Sequence, residues 1–216
     1  MNTDTRSAGY AKRLHAFDSG WRRVLDVQRP YRWNIRRLGL GFTLDVGCGV
    51  GRNLLHLGGR GAGVGIDHAA ATVELARGRG LEVFTPADFQ TSGYAQPGRF
   101  DSLLLAHVVE HMRFDEARAL VEQHLPFVRP GGQVVFIVPQ QAGFRSDATH
   151  VEFFGADKLG KLAVACGLEP GRGFSFPFPA LAGHLFPHNE TILLARTSVA
   201  RTSAGTPPGS APRVAT

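Results

Sequence analysis

With 216 residues, 43% of them hydrophobic and 19% charged, the chain is long enough for one folded domain and has the composition of a globular one. No run approaches the roughly twenty apolar residues a membrane span needs, and the N-terminus lacks the apolar core of a secretory signal, so the default expectation is the cytosol. The net charge of +6 is uneven: residues 1–37 hold nine Lys/Arg against three acids, residues 38–196 thirteen against fifteen, and the tail 197–216 two arginines and no acid. A basic end can steer an anionic partner or simply be a solvated helix face, and charge alone does not make this a nucleic-acid protein. Cys48 and Cys166 are far apart in sequence and make no metal-ligand pattern.

In chain order, Leu14, Phe17, Trp21, Val24 and Leu25 recur at helical steps, which predicts a helix over Tyr10–Val27. Pro30 opens a second helical segment through Leu38, in which Tyr31, Trp33 and Arg36 are candidate lid residues. The organising stretch follows. Thr43–Val46 reads as a short strand, Gly47, Gly49 and Gly51 as a turn, and the spacing from Val50 through Leu57 as a helix. Strand, glycine turn and helix in that order make the first half of a nucleotide-binding unit, because glycine lets the backbone approach a ligand where any Cβ would collide.

Regular alternation of strand and helix continues. Strands are expected at Gly63–Asp67, Leu81–Thr85, Phe100–Val109 and Gln133–Val138, with Pro130-Gly131-Gly132 as the turn before the last of these. Helices are expected at Ala69–Arg77, Asp115–Leu125 and Ala156–Cys166, with 140–154 a loop. Gly173–Phe176 and Glu190–Ala195 are candidates for a closing hairpin, and the tail 197–216 is too poor in apolar residues to fold. The chain therefore divides into a basic helical segment (1–37, a candidate lid), a folded domain (38–196) and a disordered tail (197–216). Asp45, Asp67, Asp88 and His107 are all placed near strand ends, where ligands of open α/β sheets bind. Asp67 lies twenty residues after Gly47, the distance at which a carboxylate meets ribose hydroxyls.

The string D-V-G-C-G-V-G at 45–51, followed by G-I-D at 65–67 and P-G-G at 130–132, resembles class I S-adenosylmethionine-dependent methyltransferases over about residues 38–196. The dinucleotide fingerprint fits less well, because Arg52 stands where its third glycine belongs. The resemblance implies a Rossmann-like, doubly wound α/β fold in three layers, with seven mostly parallel strands and an antiparallel last hairpin. It implies S-adenosylmethionine as cofactor. Asp45 with Gly47, Cys48, Gly49 and Gly51 would hold its methionine part, Asp67 with His68 its ribose, and Asp88 with Phe89 its adenine, while Ala106 and His107 would line the site.

Methyl transfer is an in-line displacement dominated by positioning, and a base is needed only where the acceptor must lose a proton. His111, His107 and His150 are the candidate catalytic residues. H-V-V-E-H at 107–111 also matches an inverted zinc signature, but His107 closes a buried strand and the helical geometry of that motif fails, so no metal is expected. The segment 140–187 is aromatic and weakly charged, and the D/N-P-P-Y/F box of base N-methylation is missing after the fourth strand. The expected acceptor is thus an oxygen or nitrogen of a small molecule rather than a nucleic acid. The alternatives are a nucleic-acid methyltransferase, an NAD-type oxidoreductase, and a protein that binds S-adenosylmethionine without turnover.

Overall fold

The computed structural model describes residues 28–199. The helix expected over Tyr10–Val27 and the tail from residue 200 lie outside the described residues. The elements in chain order are α1 (Arg29–Arg37), β1 (Thr43–Val46), α2 (Arg52–Leu57), β2 (Gly63–Ile66), α3 (Ala70–Arg77), β3 (Val83–Phe84), α4 (Pro86–Thr91) and β4 (Phe100–Ala106). They continue with α5 (Phe114–His124), β5 (Val128–Pro139), α6 (Gln141–Ser146), α7 (Ala156–Ala165), β6 (Glu169–Phe176) and β7 (Glu190–Arg196).

One seven-stranded sheet runs β3-β2-β1-β4-β5-β7-β6. The first five strands are parallel, and β7 is antiparallel to both β5 and β6. This is the Rossmann-like arrangement expected from the sequence. The order in which strands are added reverses between β1 and β4, which opens a crevice beyond their carboxyl ends.

The two faces of the sheet can be read from the side-chain alternation of its central strands. Leu103 and Leu105 of β4 with Val134 and Phe136 of β5 meet Ala117 and Val121 of α5 and Leu159 and Leu162 of α7. The intervening Leu104, Val135 and Ile137 face the other way, towards Ile35 of α1 and Phe176. A third cluster, from Leu54, Val73, Ala76 and Val83, packs α2 and α3 beside the glycine turn. Continuous apolar runs such as Leu103–Leu105 are what a parallel strand covered on both faces requires.

Several boundaries differ from the expectation. β3 shrinks to two residues, because Leu81 turns into the cluster with Leu54 and Val73 instead of continuing the ladder. β5 begins at Val128, and Pro130-Gly131-Gly132 sits inside it as an irregularity where the register with β4 shifts. β4 ends at Ala106: His107 has φ 58, a left-handed conformation that stops the strand, and Val109–His111 forms a 3-10 turn. His111 closes that turn, and α5 starts at Phe114. The loop after β5 contains the unforeseen helix α6. At the far end Thr197 is tied down, its N–H donating to the Gly132 carbonyl at 3.0 Å and its hydroxyl to the Arg129 carbonyl at 2.8 Å.

Candidate functional site

The glycine turn is built by β2 as much as by its own residues. The N–H groups of Gly47 and Cys48 donate to the Ile66 carbonyl at 2.8 and 3.1 Å. The N–H of Gly49 donates to Asp67 Oδ2 at 2.9 Å, and that of Ala69 to Oδ1 at 2.9 Å. One buried carboxylate thus clamps the turn to the start of α3. Gly47 has φ 72, and a Cβ there would lie 2.5 Å from Val108 Cγ2, so both conformation and space require glycine.

Asp45 sits within β1, behind this turn, with neither carboxylate oxygen in a well-aligned hydrogen bond. Burial pushes its carboxyl up to about 8; the nearby Asn53 amide works against the rise, and the charge of Asp67 adds to it.

In front of the turn lies a cavity of about 670 Å³. It is lined by Gly47, Cys48, Gly49 and Val50 of the turn, by Tyr31, Asn34 and Ile35 of α1, and by Ala106, His107, His111 and His150. The Tyr31 hydroxyl donates to the His188 carbonyl at 2.7 Å and so joins α1 to the segment before β7. Of the other candidate lid residues, Trp33 is exposed and stacks beneath the Arg37 guanidinium, 4.4 Å from its ring centre.

His107 stands between two acids. Its Nε2 is 2.9 Å from Glu190 Oε1, and its Nδ1 makes an ion-pair contact of 3.3 Å with Glu110 Oε1, outside hydrogen-bond alignment. Both ring nitrogens face carboxylate oxygens, an arrangement that favours the doubly protonated ring. The ring is about half exposed and open towards the cavity. Burial lowers its pKa, but Glu110 and Glu190 together outweigh burial and raise it to about 10. Of the three candidate bases, His107 is thus held as a charged anchor at neutral pH rather than as a proton acceptor.

His111 and His150 do converge. Their rings stand edge to face with centroids 4.8 Å apart. His111 Nδ1 is 3.3 Å from the Thr149 carbonyl oxygen and 3.2 Å from its hydroxyl, and His150 Nδ1 is 2.8 Å from the Phe144 carbonyl oxygen.

Other sequence candidates fall away from the cavity. Gly51 packs against Leu81, and the half-exposed His68 ring has Nδ1 3.9 Å from Asp67 Oδ1. Asp88 is exposed on the first turn of α4, 3.5 Å from Arg77. Phe89 is completely buried against Phe84, Phe100 and Phe127, and its N–H donates to the Thr85 carbonyl within α4. The adenine contact expected of Phe89 is therefore corrected, since neither its ring nor its amide is presented to a ligand. Sequence reasoning also missed Glu190 as the partner of His107, 83 residues away, which the sheet order brings in, and Asn34 and Asp147 as lining groups.

Fold and site together define a class of protein. A seven-stranded sheet of this order is the Rossmann-like fold of the class I S-adenosylmethionine-dependent methyltransferases, and here its glycine turn opens on a cavity at the β1/β4 crevice. The family model described as a methyltransferase domain matches residues 44–136, so this stretch of the chain is a methyltransferase domain.

Solved structures with the same fold include an S-adenosylmethionine-dependent methyltransferase from Archaeoglobus fulgidus, at 15% identity and TM-score 0.63, covering 85% of this chain and 99% of that one. Magnesium protoporphyrin IX methyltransferase from Synechocystis PCC 6803, solved with bound S-adenosylhomocysteine, matches at 16% identity and TM-score 0.62 over 90% of this chain and 96% of that one. A possible histamine N-methyltransferase from Thermotoga maritima matches at 16% identity and TM-score 0.61, over 87% and 97%. No curated protein matches the chain. Among the described residues no helix is long and apolar enough to cross a membrane.

Proposed function

We propose that the protein transfers a methyl group from S-adenosylmethionine to an oxygen or nitrogen of a small molecule. The observation that carries this reading is the shared cavity, which the glycine turn lines together with His111 and His150. A volume of about 670 Å³ suits the methionine end of the cofactor together with a compact acceptor. The turn at Gly47–Gly49 would lie under the methionine part, with Cys48 and Ala106 beside it. Asp67 would order the turn and offer its remaining lone pairs to the ribose. Asp45 would support the turn from behind as a buried, protonated carboxyl and not by contact, and Asp88 remains the candidate for the adenine amino group. α1 lines the cavity, which supports a closing role for Tyr31.

The reaction forms a bond from the acceptor oxygen or nitrogen to the methyl carbon. The carbon–sulfur pair returns to sulfur, leaving S-adenosylhomocysteine. Most of the rate comes from alignment.

The test is calorimetric titration with S-adenosylhomocysteine and, in parallel, NADH, followed by turnover of S-adenosylmethionine over panels of hydroxyl and amine acceptors and of RNA. Micromolar binding of the first ligand alone, with turnover on a small molecule, is expected. NADH binding alone overturns the cofactor, and turnover only on RNA overturns the acceptor class.

A further inference from the structure

We infer that Glu110, His111 and His150 form a binding site for one divalent transition-metal ion at the acceptor end of the cavity. One ligand atom from each of the three lies within 4.8 Å of the other two. Ligands on a common ion with bonds of about 2.0–2.2 Å lie about 3–3.5 Å apart, so modest side-chain rotations close the set.

Two independent features point to a cation. Glu110 is 1% exposed, and neither of its carboxylate oxygens has a hydrogen-bond partner. A buried carboxylate left this way is costly unless a positive group answers it. His107 answers only from one side, 3.3 Å from Oε1 and shared with Glu190.

The second feature is how the two imidazoles are held. Each points Nδ1 at a backbone carbonyl, of Thr149 for His111 and of Phe144 for His150. A carbonyl only accepts, so Nδ1 carries the proton and the lone pair is left on Nε2, which has no hydrogen bond among the described residues. That outer-shell pattern fixes the tautomer of metal-binding histidines.

The backbone also clamps the two halves of the site together. The N–H groups of Val151 and Glu152 both donate to the Glu110 carbonyl, at 2.8 and 3.2 Å. The His150 loop is therefore docked on the turn that carries Glu110 and His111. Two imidazoles and one carboxylate, with the remaining positions open to a cavity, suit zinc or manganese better than an all-oxygen ion such as calcium. His111 and His150 both line the cavity, so a ligand in it can complete the coordination.

The inference deepens the proposed function: the acceptor becomes a hydroxyl bound through its oxygen to the metal. Coordination lowers the hydroxyl pKa, and its proton leaves to solvent at the cavity mouth. The freed oxygen pair then forms the bond to the methyl carbon as the carbon–sulfur pair returns to sulfur. No histidine need act as base, which agrees with the doubly paired His107.

The experiment uses the full chain, freed of any affinity tag and stripped by chelator, titrated with zinc and with cobalt. The readouts are calorimetry and the visible absorption of bound cobalt. One equivalent of metal is expected. Glu110→Gln, which keeps the side-chain volume, and His150→Asn should each weaken binding by more than the roughly 10- to 100-fold that loss of an outer-shell partner costs. Both should melt close to the parent chain.

Metal binding that persists unchanged in both variants overturns the site. So does an absence of metal binding in protein that still binds S-adenosylhomocysteine, and that outcome leaves the cofactor reading intact. Metal binding lost in the variants, in protein that ignores S-adenosylhomocysteine, supports the site and overturns the cofactor reading instead.

Discussion

Asp67 offers the sharpest perturbation of the cofactor half, because structural and ligand roles predict different readouts for it. Its side chain is 9% exposed, and its two oxygens accept from the N–H groups of Gly49 and Ala69, both at 2.9 Å. A hydrogen bond to a charged group is worth about 1.5–3 kcal/mol, and a buried donor stripped of its acceptor adds its own desolvation cost. Asp67→Ala removes both acceptors and should cost about 3 kcal/mol or more. For a domain of this size that lowers Tm by roughly 6–12 °C. Asp67→Asn keeps one carbonyl acceptor but turns an amide N–H2 towards the other donor, so its loss should fall between wild type and the alanine variant. Differential scanning calorimetry gives the stability term, and titration with S-adenosylhomocysteine well below the melting range gives the ligand term. A further bond from Asp67 to ribose, worth about 1.5–3 kcal/mol, would weaken binding roughly 10- to 150-fold. An alanine variant that melts within about 2 °C of wild type would refute the clamp. One that melts early yet binds S-adenosylhomocysteine undiminished would refute the ribose placement alone.

Three further perturbations test other parts of the same region. The folded Asp45 carboxyl, raised to about 8, holds its proton more tightly than the unfolded one. Its contribution to stability is therefore complete below the ordinary carboxylate range, near pH 4, and is lost as pH rises towards 8, with a slope of at most about 1.4 kcal/mol per pH unit. Urea unfolding of wild type and Asp45→Asn from pH 5 to 9 should show the variant gaining on wild type as pH rises; parallel curves would remove the buried carboxyl as the cause. Phe89→Ala should cost about 3–5 kcal/mol, as for any fully buried phenylalanine, while folded protein binds S-adenosylhomocysteine as before. A selective loss of affinity with normal melting would return Phe89 to the adenine site. Gly51→Ala imposes φ 75 on a residue with a Cβ and sets that atom 2.2 Å from Leu81 Cδ1. Left-handed strain of about 1–2 kcal/mol, plus displacement of Leu81, should lower Tm, and an unchanged Tm would mean that the turn relaxes.

What could be read from the sequence and what could not divide along the range of the interactions. The β1 turn was legible because its cause is local: three alternating glycines after an apolar strand, and all three do adopt positive φ. The order of strands and helices was legible for the same reason, since period and turn chemistry act within a few residues. Phe89 was misplaced because proximity to a strand end says nothing about which way a side chain faces; α4 turns it into the core and leaves Asp88 on the surface. Helix α6 was missed because Q-A-G-F-R-S carries an interior glycine and no side-chain cap.

The acceptor side of the cavity depends on contacts no local pattern encodes. Glu190 reaches His107 only because β7 inserts between β5 and β6, and His150 reaches His111 only because two amides of its loop dock on the Glu110 carbonyl. The histidines themselves stood out in the sequence, but their roles did not. Pairing with two carboxylates makes His107 a fixed cation, whereas pairing with backbone carbonyls leaves His111 and His150 each with a lone pair. The chemistry of this site is thus set less by which residues line it than by what holds each of them from behind.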